Sequence, residues 1–230
     1  MTLQVVILAA GMGTRLGRPH PKPLTPLKEG NTILGHQLEN IRTVFGVDVE
    51  ILVVVGYKLE QILEAAPDVT FAYNELYDQT NTSKSLLRAL RCTSDRPVLW
   101  MNGDVVFHPD VLRSAIPLIE ADQSFVCVNT SAVGDEEVKY RLDGAGRVVE
   151  LSKDVEGAVG EAVGINFVGA KDKAVLTARL AEVKEHDYFE RGLEEAITQD
   201  GLDVRPHDIS TLFAVEIDFA DDLDRANEYL

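Results

Sequence analysis

Three observations predict an α/β fold for this chain, built on a doubly wound sheet. Short apolar runs rich in β-branched residues are each closed by Gly or Asp, as buried parallel strands are. Stretches with apolar residues at helical spacing lie between them. The composition is that of a globular protein with a large core, 45% hydrophobic and 26% charged over 230 residues, and no Pro/Gly/Ser-rich linker divides it, so one domain is expected over 1–230.

The first strand is expected at "LQVVILAA" (3–10) and the next at "VEILVVVG" (49–56), with helical "TILGHQLENIRTVF" (32–45) between them carrying Ile33, Leu34, Leu38, Ile41 and Phe45 on one face. Helices follow at 58–66 and 83–91, and "RPVLWMNGD" (96–104) reads as a further strand. This alternation places ligands beyond the carboxyl ends of the strands. Gly11, Gly56 and Asp104 fall there and are expected to share one crevice. The second half changes character. A strand at 124–131 leads to a hairpin at 138–151 turning near Asp143-Gly144, then a strand at 160–169, helices at 174–186 and 188–197, a strand at 213–218 and a helix at 220–230. The sheet is therefore mixed, and the hairpin and helices of the second half read as a lid.

Several classes are disfavoured by composition. A net charge of −16 repels nucleic acid and anionic membrane surfaces. There is neither a basic leader with an apolar core nor a run of about 20 apolar residues, so a cytoplasmic protein that does not enter a membrane is expected. Cys92 and Cys127 lack metal or redox spacing and read as two reduced, buried thiols. The five histidines, at 20, 36, 108, 186 and 207, do not cluster.

The stretch Leu8-Ala9-Ala10-Gly11-Met12-Gly13-Thr14-Arg15-Leu16, followed by "GRPHPKPL" through Leu24, holds the chemistry. Glycines 11 and 13 let backbone N–H groups approach a ligand at a strand-to-helix turn, while Arg15 offers a forked donor and Lys22 a point charge. Together they read as a polyphosphate cradle. Leu16 stands where a dinucleotide fingerprint needs its third Gly, and no P-loop is present.

These residues resemble the signature of the sugar-phosphate nucleotidyltransferase superfamily, the MobA-like NTP transferases. The resemblance extends through "MNGD", "ELSKD" and the terminal "EIDFADDLDRAN". It implies a Rossmann-like fold of the nucleotide-diphospho-sugar transferase type, with residues 1–122 binding NTP and 123–230 the acceptor. By this resemblance the stretch Leu8, Ala9, Ala10, Gly11, Gly13, Thr14 with Arg15 and Lys22 meets the nucleotide, and Asp104 and Asp218 ligate Mg²⁺. Two carboxylates completed by phosphate oxygens are what Mg²⁺ accepts; read alone, each Asp could equally be a cap or turn residue. In the polar segment 77–86, Asn81 and Ser85 occupy positions like the base contacts of cytidylyltransferases, with Thr82 and Gln79 beside them. The same "NTS" is also an ordinary helix cap.

Lys153 matches the lysine that holds the acceptor phosphate, although Asp154 replaces the Pro usual after it. "GEAVGINF" and "YFERGLEEAI" are most similar to the compact branch of phosphocholine, phosphonate and inositol-1-phosphate cytidylyltransferases, which implies an acceptor pocket formed by Glu161, Gly164, Tyr188 and Glu190. The expected partners are thus an NTP, CTP favoured, and a small phosphorylated alcohol or phosphonate. Two alternatives stand: a sugar-1-phosphate nucleotidyltransferase using UTP, GTP or dTTP, and a catalytically silent nucleotide-binding regulatory subunit. Oligomeric state is left open, a homodimer among the options.

Overall fold

The computed structural model describes residues 3–13, 17–28, 30–131, 134 and 137–230. Strand β1 (Gln4–Ala9) is followed by a single 3₁₀ turn at Lys22–Leu24, α1 (Ile33–Phe45), β2 (Glu50–Val55), α2 (Leu59–Ala65), β3 (Thr70–Tyr73), α3 (Thr82–Cys92), β4 (Val98–Asn102) and β5 (Val105–Phe107). Then come α4 (Asp110–Glu120), β6 (Phe125–Asn129), β7 (Lys139–Leu142), β8 (Val148–Ser152), β9 (Gly160–Val168), α5 (Lys173–Glu182), α6 (Phe189–Asp200), β10 (Arg205–Asp208), β11 (Ala214–Glu216) and α7 (Ala220–Tyr229).

Among the described residues a nine-stranded sheet runs β10-β6-β9-β4-β1-β2-β3, with the β7–β8 hairpin attached to β9. Pairs β1–β2, β1–β4, β2–β3 and β6–β10 are parallel, and β9 is antiparallel to both β4 and β6. The sheet is Rossmann-like and mixed, as expected. Alternate residues of β1 feed opposite faces: Val6 and Leu8 join one core with Leu86, Leu176, Leu180 and Leu193, while Val5 and Ile7 join the other with Leu34, Leu38, Ile62 and Leu112. That period of two is why the strand is apolar throughout.

Helix α1 starts where Thr32 Oγ1 accepts from the Gly35 N–H, a side-chain cap. Four elements escape a reading by periodicity: β3, β5, α4 and β10. Strands β3 and β5 have only four and three residues, too few for alternation to show. Helix α4 contains Pro117 yet buries Val111, Leu112, Ala115 and Ile119 on one face; apolar burial outweighs the lost backbone bond in its last turn. Strand β10 contains Pro206 and lies at the sheet edge, where a missing donor is tolerated. The cysteines correct the expectation of two buried thiols. Cys127 is buried in β6, its thiol pushed up by burial, whereas Cys92, the last residue of α3, is exposed.

No helix among the described residues is long and apolar enough to cross a membrane.

Candidate active site

A cleft of about 430 Å³ opens beyond the carboxyl ends of β1 and β4. Gly13 has φ +57°, and a Cβ there would sit 2.8 Å from Lys22 Cβ. Only glycine permits both the left-handed backbone and this approach. Lys22, stiffened between Pro21 and Pro23 at the 3₁₀ turn, extends its ammonium to Asp104 Oδ2 and Asp218 Oδ1, each at 2.6 Å. Burial alone would lower the Lys22 pKa, but the two carboxylates outweigh it and the ammonium is held above its usual range.

Two local devices bring Asp104 and Asp218 together across 114 residues. Gln37 Nε2 donates to the carbonyls of Asn102 and Val105, both at 2.8 Å, bracketing the turn that carries Asp104. Strands β5 and β11 pair antiparallel, Val105 opposite Glu216, and the Ile217 N–H donates to the Asp104 carbonyl at 3.0 Å. Asp218 leaves β11 one residue later, and its N–H donates to Asp222 Oδ2 in α7.

Asp104 Oδ1 is buried and has no hydrogen-bond partner. Two facing carboxylates, one with an unused oxygen, fit a small hard cation in the space now taken by the Lys22 ammonium. Among the described residues no group of three His, Cys, Asp or Glu side chains surrounds one metal position; Mg²⁺ commonly takes one or two carboxylates and completes its shell with water and phosphate oxygens.

Of the residues anticipated from sequence, Leu8, Ala9, Gly11, Gly13, Lys22, Asn81, Thr82, Asp104, Lys153, Gly164, Tyr188, Glu190 and Asp218 all line this cleft. Ala10, Gly56, Ser85 and Glu161 are not among its lining residues. Ser85 Oγ instead accepts from Asn74 Nδ2, and Glu161 accepts from the Gly134 N–H. Thr14 and Arg15 lie outside the described residues. Asn81 is engaged at both ends of its amide: Oδ1 accepts from the Thr82 N–H at 2.8 Å, and Nδ2 donates to the His186 carbonyl at 3.3 Å. Thr82 Oγ1 accepts from the Phe189 N–H, which pins the start of α3 to the start of α6.

The sequence reading passed over Glu137, Glu216, Asn102 and Tyr77, which also line the cleft. Glu216 had a signal. It stands two residues before Asp218 in "EID", and strand alternation puts the two on one face. Burial, with Asp104 and Glu137 nearby, pushes its carboxyl well above the usual range, Lys22 pulling the other way. Glu137 is raised too, by burial and then by Glu161. At the far end Lys153 Nζ lies over the Tyr188 ring, 5.9 Å from its centroid. Glu190 is 7% exposed, and burial raises its carboxyl to about 7.

A mixed α/β sheet with paired carboxylates at its strand ends and a glycine turn in the same cleft has the form of a nucleotidyltransferase domain. Residues 5–182 match the MobA-like NTP transferase domain, and the chain belongs to that family. Among curated relatives, CMP-5'-(3-aminopropyl)phosphonate synthase of Streptomyces rubellomurinus is 38% identical over 128 residues, covering 52% of this chain and 20% of that protein. The chain spans about half or less of the length of the curated relatives it matches. Among solved structures, the CTP:phosphocholine cytidylyltransferase of Streptococcus pneumoniae superposes with a TM-score of 0.75 at 19% identity, covering 100% of this chain and 99% of that one. A UDP-glucose pyrophosphorylase reaches 0.76 at 14%, covering 100% and 98%. These two likenesses are of fold.

Proposed function

We propose that this domain transfers CMP from CTP to a small phosphorylated alcohol or phosphonate, releasing pyrophosphate. The observation that carries the reading is the Lys22 ammonium clamped between Asp104 and Asp218 beside the Gly11–Gly13 turn. The similarity to a CMP-phosphonate synthase supports the choice of base and acceptor. Residues 1–122 hold the nucleotide in this reading, and 123–230 bring the acceptor and Asp218.

An ionised oxygen of the acceptor attacks the α-phosphorus of CTP, a new P–O bond forms, and the bond from that phosphorus to the β-phosphate bridging oxygen breaks. The acceptor's second ionisation lies near a pKa of about 6, so no protein base has to remove a proton. The chain's task is to align two anions and offset their charge. The N–H groups of the glycine turn and Lys22 take the triphosphate, and Lys153 takes the acceptor's anionic end. Asp104 and Asp218 would hold Mg²⁺, which neutralises charge building on the phosphate oxygens when bound. Among the described residues five carboxylates and two lysines line the cleft, so a tetra-anionic nucleotide needs that added positive charge to enter.

The test is pyrophosphate release from purified protein with Mg²⁺, using CTP, UTP, GTP, ATP and dTTP against phosphocholine, aminoalkylphosphonates, inositol-1-phosphate and hexose-1-phosphates. Release with CTP and a phospho-alcohol or phosphonate is the expected result. Release with UTP and a hexose-1-phosphate, the alternative that the pyrophosphorylase-like fold makes specific, would overturn base and acceptor together. Nucleotide binding without any release would identify a silent subunit.

A further inference from the structure

Glu190 is the second residue of α6 and lines the cleft. Its own backbone N–H supports the carboxylate, but Oε2 is buried and has no hydrogen-bond partner. A buried acceptor in that state is costly unless something donates to it. The positive charge of Lys153 reaches Glu190, yet the Lys153 ammonium lies over the Tyr188 ring rather than at Oε2. Glu190 therefore offers a desolvated carboxylate oxygen beside the lysine read as the holder of the acceptor's anionic end.

The surrounding aromatics decide which kind of cation suits it. Phe189 is 1% exposed and packs edge-on against Trp100, ring centroids 5.6 Å apart, so its ring belongs to the core. Tyr188 already has the Lys153 ammonium over its face. A quaternary ammonium depends on several open aromatic faces and has no N–H to give Oε2. A protonated primary amine donates up to three hydrogen bonds and suits a lone buried carboxylate.

We propose that Glu190 selects an acceptor with a protonated primary amine at the end remote from its phosphate or phosphonate, the amine donating to Glu190 Oε2 while Lys153 holds the anionic end. This rests on the transferase reading above and adds the amine and the residue that recognises it. A site built around such a bond rejects an analogue that lacks the donor, because the carboxylate is then left buried and unpaired.

The test is calorimetric binding to the full chain with Mg²⁺ and α,β-methylene-CTP present, using 3-aminopropylphosphonate, its N-trimethyl derivative and butylphosphonate, the isostere with a methyl in place of the ammonium. The wild type is expected to bind the amine at least about 30-fold more tightly than either analogue, a discrimination in keeping with a lost charged hydrogen bond. Glu190→Gln is expected to bring the three within about threefold, mainly by weakening the amine. A wild type that binds butylphosphonate or the trimethyl compound as tightly as the amine, or binds none of the three, overturns the proposal whatever the variant does. So does a folded Glu190→Gln that keeps the full preference. Pyrophosphate release with CTP is scored separately, so a wild type that shows no amine preference but still releases pyrophosphate removes this inference alone, and absence of release with every acceptor removes the transferase reading.

Discussion

Lys22 stands where two carboxylates would otherwise face each other unopposed. Its side chain is 11% exposed, against 19% for Asp104 and 23% for Asp218, so water screens the group only in part. Removing one partner of a mostly buried ion cluster costs about 2–4 kcal/mol. Lys22→Ala is accordingly expected to lower the melting temperature in metal-free buffer, and millimolar Mg²⁺ to restore more of it in the variant than in the wild type. An equal Mg²⁺ shift in both would show that Asp104 and Asp218 do not hold the ion as proposed. Glu190 makes a second prediction through pH. Its folded pKa of about 7 exceeds the unfolded value near 4.5, so the folded state binds more protons between these limits. Stability then falls as pH rises from about 4.5 to about 7, by about 3 kcal/mol for this group. Lys153, the charge that acts on it, opposes the effect. Glu190→Gln lacks this loss, so urea denaturation should find the variant gaining on the wild type as pH rises from 5 to 8; parallel pH profiles would sink the assignment.

At the scale of elements, the site depends on how two turns are held. The β4–β5 turn bears Asp104, and Gln37 of α1, fully buried, spans it with bonds to the Asn102 and Val105 carbonyls. Gln37→Leu keeps the volume but leaves both carbonyls unpaired, at a cost of about 1–3 kcal/mol. We expect reduced unfolding free energy together with weaker Mg²⁺ binding, although Gln37 does not itself line the cleft; unaltered Mg²⁺ affinity would show that the turn does not rely on it. Lys84 plays a similar part between helices. Its ammonium donates to the Leu180 and Val183 carbonyls at the end of α5, where the helix dipole is negative. That fixes α3, and with it Asn81 and Thr82, against the end of α5.

Across the whole molecule, charge is the dominant physical fact. In a chain of net charge −16, the described residues of the cleft hold more carboxylates than lysines, a balance that favours a nucleotide entering with its divalent cation. EDTA is therefore expected to abolish CTP binding as well as turnover, measured by equilibrium dialysis, with Mg²⁺ restoring both. CTP retained at more than about a tenth of its Mg²⁺ level under EDTA would refute this balance of charges. The sheet joins both halves of the chain, since β9 and β6 from the second half extend the strands of the first. Much of this architecture could be read from local pattern. Strands β1, β2 and β4 announce themselves by nearly continuous apolar runs, and α1 and α3 by their apolar faces. Strand β10 and helix α4 did not, because an edge position and a buried face each tolerate a proline that local rules forbid.

By itself the sequence determined most strands of the sheet and the glycine turn after the first of them, because these depend on residue type and on spacing within a few positions; the choice of Asp104 and Asp218 over a cap or turn reading came with the family resemblance. Only the tertiary structure decided that Asp104 and Asp218 meet on one ammonium, that Glu216 is buried beside them, that Asn81 spends its amide on the backbone of its neighbours and that Glu190 Oε2 faces no donor. Those properties arise from contacts between segments about a hundred residues apart, where burial and the pairing of β5 with β11 set the charge and hydrogen bonding of each group. No local periodicity encodes them.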